Sequence, residues 1–271
     1  MSKIITLLTD FGLRDPYVGV VKGVVAGIAP AARLIDISHE VAPQDLRQGG
    51  FLWAQAVPYF PEGSIHVAVV DPGVGSERRI VAARSTHGVF LAPDNGILGS
   101  VLKAEDIRAA VSVEARRYFL EPVSRTFHGR DIFAPVAARL ARGLALGRLG
   151  PAVDDLVLTT PTRPSITKES GKPSCRRFSG QIEDIDRFGN CISNIQPQET
   201  DEVLQVRVGR RRLTGLRASY SEVVSGKPLA LLNAGGYVEI AVREGRADTE
   251  LGLRRGQNVI VLVKKSRRRK S

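Results

Sequence analysis

Short apolar runs alternate with longer amphipathic stretches through the first half of the chain. Ile4 to Leu8 reads as a strand that ends in the loop Thr9-Asp10-Phe11-Gly12. Val18, Val21, Val25 and Ile28 then recur at helical spacing. Asp15 is the expected cap of that helix, with Pro16 in its first turn. Leu34 to Ile37 predicts a second strand, Leu46 to Val57 a helix and Ile65 to Val70 a third strand. Two further strands are expected at Ile80 to Arg84 and Val89 to Leu91, and a closing helix at Asp131 to Arg142. Strand–helix–strand succession with short loops specifies an α/β domain over residues 1–150, a mostly parallel sheet flanked by helices.

After residue 150 the pattern changes. Pro151, Pro161, Pro164 and Pro173 punctuate a polar stretch, so residues 151–177 read as a linker. Beyond it, Leu204, Val206 and Val208, then Val238, Ile240 and Val242, alternate with period two between glycine turns. Residues 178–263 are therefore expected to form a smaller all-β, barrel-like domain.

Charge changes the picture only at the end of the chain. The formal net charge is +11, and the segment KKSRRRKS at 264–271 carries six of those charges with no acid. It is expected to be a disordered, solvated tail. A second basic cluster, Arg210-Arg211-Arg212, follows Gly209 and fits the tip of a hairpin. No aromatic side chains interleave with either cluster, and base-stacking surfaces require them, so a dedicated nucleic-acid binder is not expected. No run approaches the ~18 apolar residues that a membrane span needs. The apolar run in MSKIITLLTDFG is too short for a secretory signal, and Cys175 and Cys191 read as free thiols. A cytoplasmic protein is expected.

Candidate chemistry falls in loops next to strand ends, where open α/β sheets place their ligands. In Asp71-Pro72-Gly73-Val74-Gly75 a carboxylate follows a buried strand, and Arg78 stands seven residues on. If the next strand starts at Ile80, both charges flank one mouth. They are then either a clamp that holds and polarises a water or a structural ion pair. The Gly-x-Gly pattern is a weak match to a methyltransferase loop, because a strand follows it where a helix should. His128 precedes Gly129 and an expected helix N-terminus, which favours a neutral, proton-accepting ring. His66 reads as strand packing, and His39 and His87 carry no specific signal. Asp186-Arg187-Phe188-Gly189-Asn190 is either a plain Asx turn or a set of polar hooks for a ligand. No His and acid cluster has metal-ligand spacing, so no metal is expected.

Together these segments, with Ser193-Asn194-Ile195, resemble one family in its own order: the S-adenosyl-L-methionine hydroxide adenosyltransferases, relatives of fluorinase and chlorinase. The resemblance spans residue 4 to about 262. It implies attack of water or hydroxide on the ribose C5′ of S-adenosylmethionine, giving adenosine and methionine without a cofactor. It implies catalytic roles for Asp71 (orienting the water), Arg78 (favouring hydroxide) and His128 (completing the network or accepting the proton). Asp10 matches the carboxylate that binds the ribose hydroxyls. Phe127, with Gly129 beside it, and Phe188 match apolar walls, and Asp186 with Asn190 match groups at the methionine end. Glu239 and the backbone near Val242 match the adenine side. Halogenases of this group lack the Asp, Arg and His set. The resemblance also implies a homotrimer with sites at subunit interfaces. One departure is Ala234, which stands after Asn233 where the family usually has Ser.

Overall fold

The first sheet is assembled from β1 (Ile4–Thr9), β2 (Arg33–Ser38), β3 (Ser64–Val69), β4 (Ile80–Ser85), β5 (Gly88–Pro93) and β6 (Ala109–Ser112) in the computed structural model, which describes residues 3–159, 163–169 and 172–265. Their order is β2-β1-β3-β5-β4-β6. The first four of these run parallel, and β4 lies antiparallel between β5 and β6. Every residue of β3 and β5 is buried, as a sheet covered on both faces requires. Helices α1 (Tyr17–Ile28) and α3 (Ala134–Ala141) cover a cluster that includes Ile5, Leu7, Val25, Val67 and Val136. Helix α2 (Leu46–Ala56) drives Trp53 into a second cluster with Leu8, Ala68, Val70 and Phe90.

Helix starts differ in cause. Asp45 caps α2, accepting from Gln48 N at 2.8 Å, as capping chemistry predicts. Asp15 does not cap α1: Pro16 is the capping residue, and its carbonyl accepts from Val20 N at 2.9 Å. The closing helix is also shorter than expected, because a wider π-type turn, Gly129–Phe133, precedes α3.

The chain divides into two compact units, Met1–Pro161 and Thr162–Ser271. The second contains β7 (Ser165–Glu169), β8 (Lys172–Ile185), β9 (Cys191–Ser193), β10 (Asp201–Val208), β11 (Arg211–Thr214), β12 (Pro228–Leu232), β13 (Val238–Val242) and β14 (Asn258–Lys265), with a one-turn helix α4 (Ala247–Glu250). All pairings are antiparallel, in the order β11-β10-β14-β8-β9-β13-β12, with β7 on β8. After β11, Arg217 N donates to Ala230 O at 2.8 Å, so the sheet curls to meet β12 and the barrel is nearly closed. Phe178, Ile182, Val206, Ile240 and Val261 fill its core.

Two expectations need correction. Residues 151–177 are not a free linker. Pro151 O and Val153 N bond the backbone of Ser112 and Ala110, and Leu156 and Leu158 pack on the cluster around Trp53. From Ser165 the chain is already in β7 and then β8. The basic tail begins inside the sheet, because Lys264 and Lys265 end β14; residues 266–271 lie outside the described residues. Among the described residues no helix is long and apolar enough to cross a membrane.

Candidate active site

Asp71 sits just past the buried end of β3, where the side-chain amide of Asn95 ties Val70 O at 2.9 Å. The following turn closes on itself: Gly73 N donates to Asp71 Oδ1 at 3.2 Å and Ser76 Oγ to Gly73 O at 2.7 Å. That fold-back returns Arg78 to Asp71. Arg78 Nε lies 2.8 and 3.1 Å from the two carboxylate oxygens, and Nη2 also donates to Oδ2. Their side chains are only 12% and 5% exposed, so the pair is far better shielded than a surface ion pair. The adjacent Arg79 is pinned elsewhere, with Nη2 2.6 Å from Asp94 Oδ2 and Nη1 2.7 Å from Asp155 Oδ1. Gly75 has φ +78°, and a Cβ there would stand 2.4 Å from Arg125 O. The turn can therefore approach the next loop only with glycine at this place.

That next loop carries His128. Its Nδ1 lies 2.8 Å from Arg78 Nη2. A guanidinium has no acceptor, so Nδ1 must accept and the imidazole is neutral with its proton on Nε2. Its pKa is lowered, first by burial and then by the Arg78 charge, with Asp71 and Asp131 acting in the opposite sense. Neutrality was expected, and these are the causes. The loop is held from beneath by Asp131, 1% exposed, which accepts from Ser124 N at 2.8 Å and Arg130 Nε at 2.6 Å. Ser124 Oγ in turn accepts from Phe127 N at 2.9 Å.

Asp10 lies on a third loop and accepts from Gln44 N at 2.8 Å. Burial raises its pKa; the Gln44 N–H works against that, and the nearby Asp71 charge adds to it. The same loop is clamped by His39, whose Nδ1 is 2.8 Å from Thr9 Oγ1 and whose carbonyl accepts from Gly12 N at 2.7 Å. Phe11, Tyr17 and Phe127 form an edge-to-face trio with centroids 5.1–6.1 Å apart. Gly129 makes room for it: a Cβ there would be 3.0 Å from the Phe11 ring. Asp10, Asp71, Arg78, Phe127, His128 and Gly129 thus belong to one unit. Tyr17, His39 and Gln44 join them without any signal in the sequence.

The remaining predicted residues belong to the second unit. Asp186 organises its own turn: Oδ1 accepts from Phe188 N and Asn190 N at 2.9 Å each, and Oδ2 from Asn190 Nδ2 at 3.0 Å. Phe188 is 73% exposed at the tip of that turn. Glu239 is 3% exposed on β13 and accepts from Tyr220 OH at 2.7 Å. Burial raises its pKa, against the pull of the Tyr220 hydroxyl. Val242 packs its side chain in the barrel core, which leaves only its backbone for a ligand. Asn233 Oδ1 accepts from Gly235 N and Tyr237 N, so the turn bearing Ala234 is closed without a Ser hydroxyl.

A shielded carboxylate, a guanidinium and a neutral imidazole in one hydrogen-bonded row suit orientation and deprotonation of a water. Among the described residues no group of three or more His, Cys, Asp or Glu is placed to hold a metal ion.

An (R)-S-adenosyl-L-methionine hydrolase of Thermus thermophilus is 40% identical over 94% of this chain and 98% of its own length. One of Salinispora tropica is 39% identical over 95% and 97%. A fluorinase of Actinoplanes is more distant, at 25% identity over 96% and 97%. The crystal structure of an uncharacterized conserved protein from Thermotoga maritima superposes with a TM-score of 0.84 at 35% identity, covering 95% of this chain and 99% of that one. Residues 5–150 match the SAM hydroxide adenosyltransferase N-terminal domain and residues 180–260 the corresponding C-terminal domain. The chain belongs to the S-adenosyl-L-methionine hydroxide adenosyltransferase family.

Proposed function

We propose that this protein hydrolyses S-adenosyl-L-methionine to adenosine and L-methionine. The oxygen of a water forms the new bond to ribose C5′. The C5′–S bond breaks with its electron pair going to sulfur, which leaves as the neutral thioether of methionine. The leaving group is already activated, so the protein's task is to supply an oriented, partly deprotonated nucleophile in a shielded place. Asp71 accepts a hydrogen bond from the water, orients it and takes its proton as the O–C5′ bond forms, passing that proton to bulk water when the products leave. Arg78 stabilises developing hydroxide by its charge, and His128 fixes Arg78 while keeping Nε2–H as a donor. The hydrolase names of relatives at 39–40% identity support this reading. The observation that carries it is Arg78 shared between Asp71 and a neutral His128.

Around that row, Asp10 is assigned to the ribose hydroxyls, Phe127 and Gly129 to the apolar wall, and Asp186 and Asn190 to the methionine end. Phe188, Glu239 and the backbone at Val242 complete the binding set. The reaction needs no cofactor, since substrate and water balance it. A homotrimer is the proposed assembly, with each site completed by a neighbouring subunit. A cytoplasmic location is supported by the two free, buried thiols, Cys175 and Cys191.

The test is incubation with S-adenosylmethionine in oxygen-18 water, with and without chloride or fluoride. Adenosine labelled at the 5′ oxygen, lost in Asp71→Ala, is the expected result. A 5′-halogenated adenosine in place of adenosine would overturn the hydrolase assignment.

A further inference from the structure

The two units share the charge very unequally. Residues 162–271 contain 22 basic and 12 acidic residues, a net +10 of the chain's +11. Six of those charges lie in 264–271, and the sheet distributes much of the rest. Val206, Val208, Phe178, Val259, Val261 and Leu213 point into the barrel, so their neighbours along each strand point out. The register then sets Arg207 directly opposite Arg212, and Arg177 opposite Leu262 one step further along. Gln205 and Arg207 confirm the outward side, because Arg207 Nε donates to Gln205 Oε1 two residues away.

Across β8, β14, β10 and β11 the outward positions from Asn258 to Leu262 and their cross-strand partners include no acid and no aromatic. Among the described residues none of Arg177, Arg207 and Arg212 has a carboxylate partner, whereas Arg176, on the opposite side of β8, is paired with Asp201. Gln205, Thr214, Ser179 and Thr167 stand beside the arginines as neutral hydrogen-bonding groups. At normal strand spacing and rise, the three guanidinium-bearing positions spread over roughly 16 Å, three strand spacings and two residues along. That span covers about four to five steps of a nucleic-acid strand.

We propose that this outer face of the C-terminal sheet binds the sugar-phosphate backbone of duplex nucleic acid. Arginine forks and neutral amide and hydroxyl groups are the donors that phosphate oxygens take. The lack of aromatic side chains removes base stacking, so contact is independent of sequence and does not favour single strands. A lipid surface fits less well, because Leu262 is buried and Ile260 half-buried, leaving no apolar side chain to insert.

The experiment measures binding of the full chain to a short DNA duplex by fluorescence anisotropy as salt rises from about 50 to 200 mM. The comparison protein carries Arg177→Gln, Arg207→Gln and Arg212→Gln together. Three phosphate contacts predict a log–log salt slope about 2.7 shallower in the triple variant, a loss of about 40-fold over that range that the variant does not share. S-adenosylmethionine hydrolysis and Tm, unchanged in the variant, show that it is folded. No binding by the full chain at low salt would overturn the proposal. So would an equal slope in the variant, which would place binding in residues 266–271, or tighter arginine-dependent binding to phosphatidylserine vesicles than to the duplex.

Discussion

Arg78 uses both hydrogens of a single nitrogen, Nη2, one toward Asp71 Oδ2 and one toward His128 Nδ1 at 2.8 Å, while its Nε–H returns to the same carboxylate. The fork therefore fixes three things at once: the carboxylate plane, the imidazole tautomer and the distance between their loops. Fifty residues of sequence separate the arginine from the histidine.

Lysine at this place keeps the charge but not the planar fork. Arg78→Lys is expected to lower kcat about 100-fold, the low end for loss of a positioned acid–base group, with a small change in KM. Adenosine release followed by chromatography gives both constants. A kcat within a factor of about three of the wild type would remove Arg78 from the water clamp, being under 1 kcal/mol of barrier.

Acid should inactivate the enzyme later than an ordinary histidine would dictate. His128 has its pKa lowered, by burial first and by Arg78 second. A proton on Nδ1 would face the Arg78 donor, so the protonated form is the inactive one. The acid limb of kcat/KM should therefore fall below 6.5, the unperturbed value. In Arg78→Gln, removal of the neighbouring charge should move the limb upward while leaving the burial effect. An acid limb at the same pH in both proteins would show that His128 is not the titrating group.

Much of the fold is legible because its cause is local. Val18, Val21 and Val25 are buried as their spacing requires, and β3 and β5 are apolar because both faces are covered. Where burial is missing, so is the signal. In β7, Ser165 to Lys168 are all exposed, so no alternation marks the strand, and four prolines nearby read as a linker. The site divides the same way. Asp71 and Arg78 are seven residues apart and joined by a turn that two glycines announce. His39 and Gln44 reach the Asp10 loop only because β1 and β2 run side by side. Nothing local distinguishes Arg78, which meets Asp71, from Arg79, which meets Asp94 and Asp155.

His66 gives the first unit its own acid sensitivity, away from the chemistry. It is fully buried beside Phe60 and Phe90, bonds Thr6 Oγ1 through Nδ1 at 3.0 Å, and has no partner for Nε2 among the described residues. Burial lowers its pKa to about 4, with the backbone of His87 acting upward and its ring charge downward. Between pH 6.5 and about 4 the unfolded chain holds a proton that the folded one does not. The stability present above that window is lost as pH falls through it, by about 3 kcal/mol at most. In His66→Gln, which cannot titrate, the fall in Tm from pH 7 to pH 4.5 should be visibly smaller. Parallel Tm curves for the two proteins would contradict this account.

The turn at Asp186 separates binding from chemistry. Its carboxylate takes three N–H groups, from Phe188 N, Asn190 N and Asn190 Nδ2, and among the described residues no Arg or Lys is paired with it. Asp186→Asn keeps an oxygen for the two backbone donors but sets one NH2 group against another at Asn190. Asp186→Ala frees all three donors, of which those of the buried Asn190 are the costly ones. Unsatisfied donors of this kind cost about 1–3 kcal/mol, so Ala should lower the unfolding free energy by that amount and Asn by less. If Asn190 and its neighbours hold the methionine end, KM should rise in the same order, Ala above Asn. Meanwhile kcat at saturating substrate should stay close to that of the wild type, because Asp71, Arg78 and His128 are untouched. Urea unfolding and steady-state kinetics on the two variants measure both. A loss of kcat with KM unchanged would move Asp186 from binding into the chemical step.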